Sequence, residues 1–255
     1  MGRFQDLTVL ITGATGGFGR KLAERFAAEG ARLVLSDLDA GRLDEMAATF
    51  HTEVATLAGN IADEDLSQKL VALAFDRFGR LDVAINNAGI VHDLMKLPQT
   101  PSDIARRVLE IDLLGVFFAL KHQIPALERQ FRDKALPGAI VNIASVAGIA
   151  GAPKLGIYAA AKHGVVGLTR SAAAECATKG VRINAICPSF ARTAMVTGIL
   201  GEDNAEAERE LTRGVPMRRL AETDEIAEVV LFAADPKNSF MTGQTLAADG
   251  GITAI

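Results

Sequence analysis

Residues 8–19, with the sequence TVLITGATGGFG, decide the fold of this chain. The β-branched and aliphatic run at residues 8–12 predicts a short buried strand, and the pattern that opens with RKLAE after Gly19 predicts a helix. Glycines between the two allow a sharp turn and bring free helix N–H groups close to a phosphate. Such a turn alone is also compatible with a purely structural role. The order strand, glycine turn, helix therefore indicates a nucleotide-binding unit without establishing one.

The alternation of short apolar runs and helical patterns continues along the chain. Predicted strands cover residues 8–12, 32–36, 53–57, 81–86, 139–144, 181–187 and 245–248. These runs are nearly continuously apolar, which is typical of a parallel sheet covered by helices on both faces. Asp63 and Thr223 are predicted to cap the helices that follow them. The sequence predicts one α/β domain over residues 1–255, a Rossmann-type doubly wound parallel sheet of seven strands. Residues 188–216 interrupt the alternation and predict a substrate loop or lid.

Composition limits the function classes. The chain has 255 residues, 49% of them apolar and 23% charged, as in packed globular proteins. A net charge of −4 argues against nucleic acid as a partner. We expect no membrane span, because no apolar run approaches about 20 residues. The two cysteines and the scattered histidines predict no disulfide framework and no metal site, and the cytoplasm is the expected location.

A carboxylate follows the second predicted strand. Asp37 lies 18 residues after Gly19, near the position where an acidic residue binds the adenosine ribose diol in dinucleotide sites. The next residue is Leu38, so no adjacent cation offsets the charge. A ribose 2′-phosphate about 4 Å away would be repelled by roughly 4 kcal/mol before further screening. The glycine turn followed by Asp37 therefore favours NAD over NADP. The alternative for Asp37 is a solvated loop carboxylate or a helix cap.

A possible catalytic set follows the predicted fifth strand. Tyr158 is the only tyrosine, and Lys162 lies four residues later within a predicted helix at 156–178, so both side chains share one helix face. An ammonium group beside a phenol favours the phenolate, the form that accepts a proton. Ser145 ends the fifth strand, where its hydroxyl would hold a substrate oxygen. An ordinary helix pair and a strand-end serine are the structural alternative.

Taken together, these motifs resemble the single-domain type of the short-chain dehydrogenase/reductase family over nearly the whole chain. The matching parts are the turn TGATGGFG, the motif Asn86-Asn87-Ala88-Gly89, and the set Ser145, Tyr158 and Lys162. The resemblance implies that Tyr158 is the general acid/base, that Lys162 assists it and binds the nicotinamide ribose, and that Ser145 orients the substrate carbonyl or carbinol. It implies the following nicotinamide-cofactor residues: Gly13, Thr15, Gly16, Gly17, Phe18, Gly19, Asp37, Leu38, Asn60, Ile61, Asn87, Ala88, Gly89, Tyr158, Lys162, Pro188, Phe190 and Thr193.

The chain departs from the family pattern at three positions. Asp112 stands where an asparagine is usual. In the family, the main-chain carbonyl at this position holds a water of the proton relay, a role that does not need the side-chain amide. We therefore expect activity to be kept, and we count Asp112 with the catalytic residues. A buried carboxylate there would raise its own pKa or stabilise Lys162. Asn60 replaces a common aspartate that faces adenine, and Ser189 replaces a glycine.

The reaction implied is NAD-dependent interconversion of a secondary alcohol and a ketone. The expected substrate is an uncharged, apolar or cyclic molecule bound by Ser145, Val146, His92, Leu94, Ile149, Leu155, Phe190, Met195 and Ile199. Two alternatives stay open: a 3-oxoacyl-thioester reductase, which Asp37 argues against, and a non-catalytic NAD sensor or scaffold. The resemblance implies a homotetramer or dimer. An alanine-rich face at residues 159–161 and 172–174 would either meet another subunit or pack on the sheet.

Overall fold

Parallel strands form the centre of the molecule. In the computed structural model, which describes residues 2–193, 196 and 204–254, the strands are β1 (Thr8–Thr12), β2 (Arg32–Ser36), β3 (Val54–Thr56), β4 (Val83–Asn86), β5 (Gly138–Ile143), β6 (Val181–Pro188) and β7 (Thr245–Ala248). They form one seven-stranded sheet in the order β3-β2-β1-β4-β5-β6-β7, with every neighbouring pair parallel. Predicted and observed strands differ by at most two residues at an end. The largest difference is at β4, where pairing to β1 begins only at Val83.

Helices cover both faces of the sheet. The α-helices of the described residues are α1 (Gly17–Ala28), α2 (Ala40–Ala47), α3 (Glu64–Phe78), α4 (Ser102–Leu109), α5 (Gly115–Lys134), α6 (Gly156–Cys176), α7 (Ala205–Leu211) and α8 (Thr223–Ala234). One turn of π-helix, Glu110–Leu114, joins α4 to α5. None of the described helices has the length and apolar character needed to cross a membrane.

Alternate residues of the buried strands feed two separate cores. Leu10 and Val34 pack with apolar residues of α3, α5 and α6, whereas Val9 and Leu33 pack on the other face with those of α1, α2 and α8. This two-sided burial is why the strand sequences are continuously apolar. The predicted doubly wound α/β fold is confirmed.

The alanines of α6 mostly pack inside the chain. Three of them, Ala161, Ala172 and Ala173, are buried, and the last two belong to the core that contains Leu10 and Val34. Ala160 and Ala174 are exposed. The sheet-packing alternative therefore explains most of this face. Both cysteines, Cys176 and Cys187, are also buried as free thiols, and burial raises the pKa of each to about 11.

The predicted cap of α8 is wrong by one residue. Glu222 occupies the N-cap position, and its side chain and that of Glu225 form a reciprocal capping box, so Thr223 is the first helical residue. Arg219 also pairs with Glu225 at 2.6 Å, and this bond, with the backbone N–H of Glu222, lowers the pKa of Glu225 to about 2. Asp63 does occupy the N-cap of α3, but its side chain makes no capping hydrogen bond.

Residues 188–216 are described only in part. Beyond β6, the structure describes residues up to 193, residue 196, and α7 followed by a short 3-10 turn, Thr212–Gly214. Backbone hydrogen bonds of Arg192 and Ala221 join the start of this segment to the region before α8. Its role as a lid stays a prediction.

Candidate active site

A cavity of about 460 Å³ opens at the carboxyl ends of the central strands. Its wall contains the turn after β1, the end of β2, the residues after β4 and β5, and two side chains of α6. The carboxyl edge, where the strand order reverses between β1 and β4, is the usual ligand site of a doubly wound sheet. The cavity volume lies within the range of small-molecule sites.

The glycine turn forms one wall of this cavity. Gly13 has a φ of +64°, and a Cβ there would come within 2.9 Å of the Ala88 Cα. A Cβ on Gly17 would come within 2.8 Å of the Thr193 side chain. Because α1 begins at Gly17 with Gly16 as its N-cap, the helix N-terminus lies at the wall. Bare backbone and a helix N-terminus fit a dinucleotide diphosphate at this place.

Asn87 fixes this turn against β4. Its side-chain amide donates to the Thr12 carbonyl at 2.9 Å and to the Gly13 carbonyl at 3.1 Å. The backbone N–H groups of Asn87 and Ala88 both donate to the Thr12 hydroxyl at 3.1 Å. Asn87 also lines the cavity, but its amide hydrogens are used by the turn. The shape of the glycine turn thus depends on Asn87, which is 74 positions away from Gly13 in the chain.

Asp37 closes the other end of the same wall. Its Oδ2 accepts hydrogen bonds from the Thr15 backbone N–H at 2.8 Å and from the Thr15 hydroxyl at 2.7 Å. Its Oδ1 accepts from the Leu38 N–H at 2.7 Å. A carboxylate offers about four acceptor positions. One position on Oδ1 therefore remains for a ligand.

Tyr158 and Lys162 lie together beside the end of β5, whereas Asp37 follows β2, two strands away from β4 in the sheet order. Both line its wall, and the Lys162 Nζ lies 5.6 Å from the centre of the Tyr158 ring. Lys162 is buried, and its Nζ donates to the Ile143 carbonyl at 3.1 Å. Burial alone would lower the pKa of Lys162, but the negative charges of Asp112 and of a Tyr158 phenolate raise it more, so that the net shift is upward.

Asp112 completes this buried group. It lies in the π-helical turn, fully buried, and its Oδ2 forms an ion pair with the Lys162 Nζ at 3.4 Å. Its Oδ1 accepts from the Ile90 N–H at 2.8 Å. Burial raises the pKa of the Asp112 carboxyl, and Lys162 and Ile90 offset only part of that shift. A Cβ on Gly89 would come within 3.4 Å of both side chains, so this glycine leaves the room they occupy.

Ser145 and His92 lie outside the cavity wall. Ser145 follows β5 and begins a short 3-10 turn, where its hydroxyl oxygen accepts from the Ala147 N–H at 3.2 Å. His92 is buried, and its Nδ1 lies 2.7 Å from the Asp93 carbonyl, which places the hydrogen on Nδ1. Its Nε2 has no hydrogen-bond partner among the described residues.

The structure brings most predicted cofactor residues into one wall. The predicted residues that line the cavity are Gly13, Thr15, Gly16, Gly17, Phe18, Asp37, Leu38, Asn60, Ile61, Asn87, Ala88, Gly89, Asp112, Tyr158, Lys162 and Thr193. Those that do not line it are Gly19, His92, Leu94, Ser145, Val146, Ile149, Leu155, Pro188 and Phe190. The predicted positions Met195 and Ile199 lie outside the described residues.

Two cations of the wall were not predicted from the sequence. Arg42 lies in the first turn of α2, just after Asp37 and Leu38, and Arg107 lies in α4. Ile111, four residues after Arg107, also lines the cavity, but neither residue carried a sequence signal for the site. Nothing in the sequence alone separated Arg42 from an ordinary solvated helix residue. Among the described residues, no group of three or more histidine, cysteine or acidic side chains is arranged to hold a metal ion.

Comparison with known proteins places this architecture in a family. A family model described as enoyl-(acyl carrier protein) reductase matches residues 13–253. A 2,5-dichloro-2,5-cyclohexadiene-1,4-diol dehydrogenase of Sphingobium indicum is 37% identical, with 97% of each chain covered. The chain belongs to the short-chain dehydrogenase/reductase family. The family resemblance predicted from the motifs is confirmed.

Two further relatives of this dehydrogenase/reductase support the same assignment. The trans-4-hydroxycyclohexanecarboxylate dehydrogenase of Sinomonas cyclohexanicum is 38% identical, with 99% of this chain and 95% of that protein covered. The crystal structure of levodione reductase superimposes with a TM-score of 0.92 at 37% identity, covering 98% of this chain and 99% of that one. The predicted reaction class, interconversion of a secondary alcohol and a ketone, is confirmed at the level of these relatives, and the family uses a nicotinamide cofactor.

Proposed function

We propose that this protein is an NAD-dependent dehydrogenase/reductase that interconverts a secondary ring alcohol and the corresponding cyclic ketone. One observation carries the proposal: a single cavity is lined by the glycine turn and Asp37, at the ends of β1 and β2, and by Tyr158 and Lys162, beside the end of β5. A dinucleotide placed with its adenosine toward Asp37 would extend toward Tyr158. When bound, the nicotinamide supplies the carbon that accepts or donates the hydride.

Tyr158 moves the proton in this proposal. Lys162 lies one helical turn further along α6, with its charge fixed by the Ile143 carbonyl and by Asp112. An ammonium group held in a buried position stabilises a phenolate more than a freely solvated one would. Tyr158 thus accepts the hydroxyl proton when an alcohol is oxidised and returns it when a ketone is reduced.

Ser145 orients the substrate oxygen. Its own oxygen accepts from the Ala147 N–H, so its hydroxyl hydrogen is left to donate. A donor directed at the substrate oxygen stabilises the negative charge that develops there. The group formed by Ser145, Tyr158 and Lys162 therefore provides one hydrogen-bond donor, one proton carrier and one fixed cation.

A cyclic substrate is the class that the relatives favour. Three of them, including cyclohexanol dehydrogenase of an Acinetobacter species, are named for six-membered rings. The proposed pocket residues Val146, Ile149 and Leu155 are apolar and lie between Ser145 and Tyr158 in the chain. Side chains of this kind exclude water around the reacting carbon. A 3-oxoacyl-thioester reductase is the less favoured alternative, because Asp37 repels the 2′-phosphate of NADP.

We also propose that the enzyme works in the cytoplasm as a homo-oligomer, a tetramer or a dimer. Its two free thiols suit a reducing compartment. Phe117, Phe232 and Phe240 are exposed on the described surface, and a second copy would cover apolar side chains of this kind.

The test is the initial rate with NAD⁺, followed by the absorbance of reduced nicotinamide. The panel contains cyclohexanol, cyclic 1,4-diols, 4-hydroxycyclohexanecarboxylates, linear secondary alcohols and a 3-hydroxyacyl thioester. We expect turnover with the cyclic alcohols and a loss of about 10²- to 10⁴-fold in Tyr158→Phe, because the proton carrier is removed. The control is His163→Gln on the same helix, whose ring contacts the Ala159 carbonyl. Unchanged turnover in Tyr158→Phe would refute the proposal.

A further inference from the structure

Lys154 has an unusual backbone conformation in the segment between Ser145 and Tyr158. Its φ is +69°, in the left-handed region that favours glycine. The side chain is exposed and makes no hydrogen bond or ion pair with any residue that the structure describes. A lysine at this position therefore costs conformational free energy that no polar contact of its side chain with those residues offsets. An outlier of this kind beside a candidate active site points to a functional role for the side chain.

The turn that contains Lys154 is fastened to the segment that follows β4. The Lys154 carbonyl accepts a hydrogen bond from the Met95 N–H at 3.0 Å. A Cβ on Gly156 would come within 3.0 Å of the Leu97 side chain. The loop after β4 and the loop after β5 therefore meet at Lys154, and this contact limits where its Cα can lie.

Lys154 lies close enough to Tyr158 to contact the same substrate. The two residues are four positions apart in the chain, so their Cα atoms are separated by at most about 14 Å. Tyr158 lies in the first turn of α6, which shortens this distance, because each helical residue advances by only about 1.5 Å. The two long side chains can therefore reach opposite ends of one six-membered ring.

The surroundings of Lys154 combine apolar side chains with positive charge. Residues 145–157 contain no acidic residue. Residues 90–100 contain one charge of each sign, on the exposed residues Asp93 and Lys96. The pocket residues proposed above are apolar. An apolar pocket with an unpaired ammonium group at its edge favours a ligand that has an apolar body and a negatively charged end.

We propose that Lys154 determines substrate specificity by pairing with a carboxylate on the ring, at a carbon remote from the one that is oxidised. The inference rests on the proposed function, since it names a substrate class for the same site. Lys154 touches no reacting atom; it holds the far end of the ring while Tyr158 takes the hydroxyl proton. The preferred substrate is thus a hydroxycycloalkanecarboxylate, and it carries a charge, unlike the uncharged molecule expected from the sequence alone.

The experiment compares kcat/KM with NAD⁺ for 4-hydroxycyclohexanecarboxylate, its neutral carboxamide and cyclohexanol, using the better of the cis and trans isomers. Wild type is expected to prefer the carboxylate to the carboxamide by about three- to tenfold, as for an ion pair that is partly shielded from water. Lys154→Gln should abolish this preference and leave cyclohexanol within about twofold of wild type. Lys154→Arg should keep the preference, because the charge remains. Raised salt should weaken the preference in wild type and have no effect on Lys154→Gln.

Lys154→Gly separates a role in substrate binding from a structural one. Glycine adopts a φ of +69° without strain, so the urea midpoint of unfolding should rise above that of wild type while the preference for the carboxylate is lost. A lower midpoint would show that Lys154 supports the fold, and it would overturn the argument from strain.

The matched control is Lys237→Gln, which removes the same charge from an exposed residue between α8 and β7, at the amino edge of the sheet. It should leave all three rates unchanged. Wild type that oxidises cyclohexanol without distinguishing the carboxylate from the carboxamide would overturn the inference and leave the proposed function intact. An unchanged preference in Lys154→Gln would do the same. Wild type that oxidises none of the ring alcohols would overturn both.

Discussion

At the residue scale, the buried pair of Asp112 and Lys162 distinguishes this chain from its family pattern. An asparagine would also accept from the Ile90 N–H, but it would bring no charge to Lys162. Here the carboxylate lies 3.4 Å from the Nζ, and both groups are shielded from water. Each charge lowers the cost of burying the other. The carboxylate thus keeps Lys162 protonated in a place where burial alone would favour the neutral amine.

We expect Asp112→Asn to retain turnover and to shift its pH profile. Without the carboxylate, the desolvation of Lys162 is no longer offset, so the pKa of Lys162 falls. The Lys162 ammonium then loses its charge at a lower pH. The decline of alcohol oxidation on the alkaline side should therefore begin at a lower pH as well. The measurement is kcat and kcat/KM for alcohol oxidation across pH, with Asp103→Asn on the exposed start of α4 as the control. An unchanged alkaline limb would contradict this role, and a dead but folded variant would show that the carboxylate itself is essential.

Single residues also mark the limit of what the sequence predicts. Tyr158 and Lys162 are recognisable because helical spacing fixes their relation, whatever the rest of the chain does. Asp37 receives its hydrogen bonds from Thr15, 22 positions earlier, and Asp112 meets Ile90 at the same separation. Contacts of this kind depend on how two strands end and how a π-turn rotates its side chains, and neither is encoded in local periodicity.

At the scale of elements, a buried network of amides supports the floor of the site. The Asn86 side chain donates to Gln123 at 3.1 Å and to Asn142 at 2.8 Å, and Gln123 donates back to Asn86 at 2.8 Å. Asn142 donates to the Thr169 hydroxyl at 2.9 Å. The network joins β4, β5, α5 and α6, and its member Asn86 immediately precedes Asn87, whose side chain holds the glycine turn. A change in the packing of these elements is therefore expected to change the shape of the glycine turn in the cavity wall.

Replacing Gln123 by leucine should destabilise the fold by about 1–3 kcal/mol, because the Asn86 amide loses both a donor and an acceptor in a buried place. NADH affinity should also fall, since Asn86 immediately precedes the residue that anchors the turn. Urea unfolding gives the first quantity and calorimetry the second. Gln68→Leu, an exposed change of the same type on α3, is the comparison and should have little effect. Equal stability of the two variants would show that the network carries no net stabilisation.

The elements themselves were the most predictable level. Strands β1, β2 and β7 have the predicted bounds, because a run of apolar residues between turn signals is a local property. The helix predicted over 156–178 ends at Cys176, and a 3-10 turn leads to Gly180 with a φ of +72°. The error at the start of α8 has a different origin: Thr223 has the preferred side chain for a cap, yet the Glu222–Glu225 pair, reinforced by Arg219, provides more hydrogen bonds.

At the scale of the whole molecule, the residues that stabilise the fold and those that line the candidate site lie in different places. Two apolar cores on opposite faces hold the sheet, and the carboxyl edge carries the site between them. This division follows from the strand order, which reverses beside β1 and opens a crevice where both halves meet. The fold could be predicted because the alternation of strands and helices admits few topologies. Substrate-facing loops could not, because their shape depends on contacts rather than on a repeating pattern.

The surface at the end of α8 allows a test of association between copies. Phe232 is about half exposed, at 52%, and Phe240, in the turn that follows, is fully exposed at 103%. The Asn238 amide, two residues before Phe240 in the chain, donates to the Phe232 carbonyl at 3.2 Å. Burying a phenylalanine side chain contributes about 1.5–3 kcal/mol, so covering both rings would noticeably strengthen a contact between copies.

We therefore expect wild type to sediment as a multiple of the 26.9 kDa chain and Phe240→Ser to shift the distribution toward smaller species. The change lies outside both cores, so circular dichroism and NADH affinity should stay as in wild type, which separates lost association from unfolding. Met217→Ser is the control, because that side chain is 65% exposed and lies beside Gly250 instead. If Phe240→Ser keeps the wild-type mass, the copies meet through another surface, and the exposed residues Leu114 and Phe117 of the π-turn and α5 become the next to be changed.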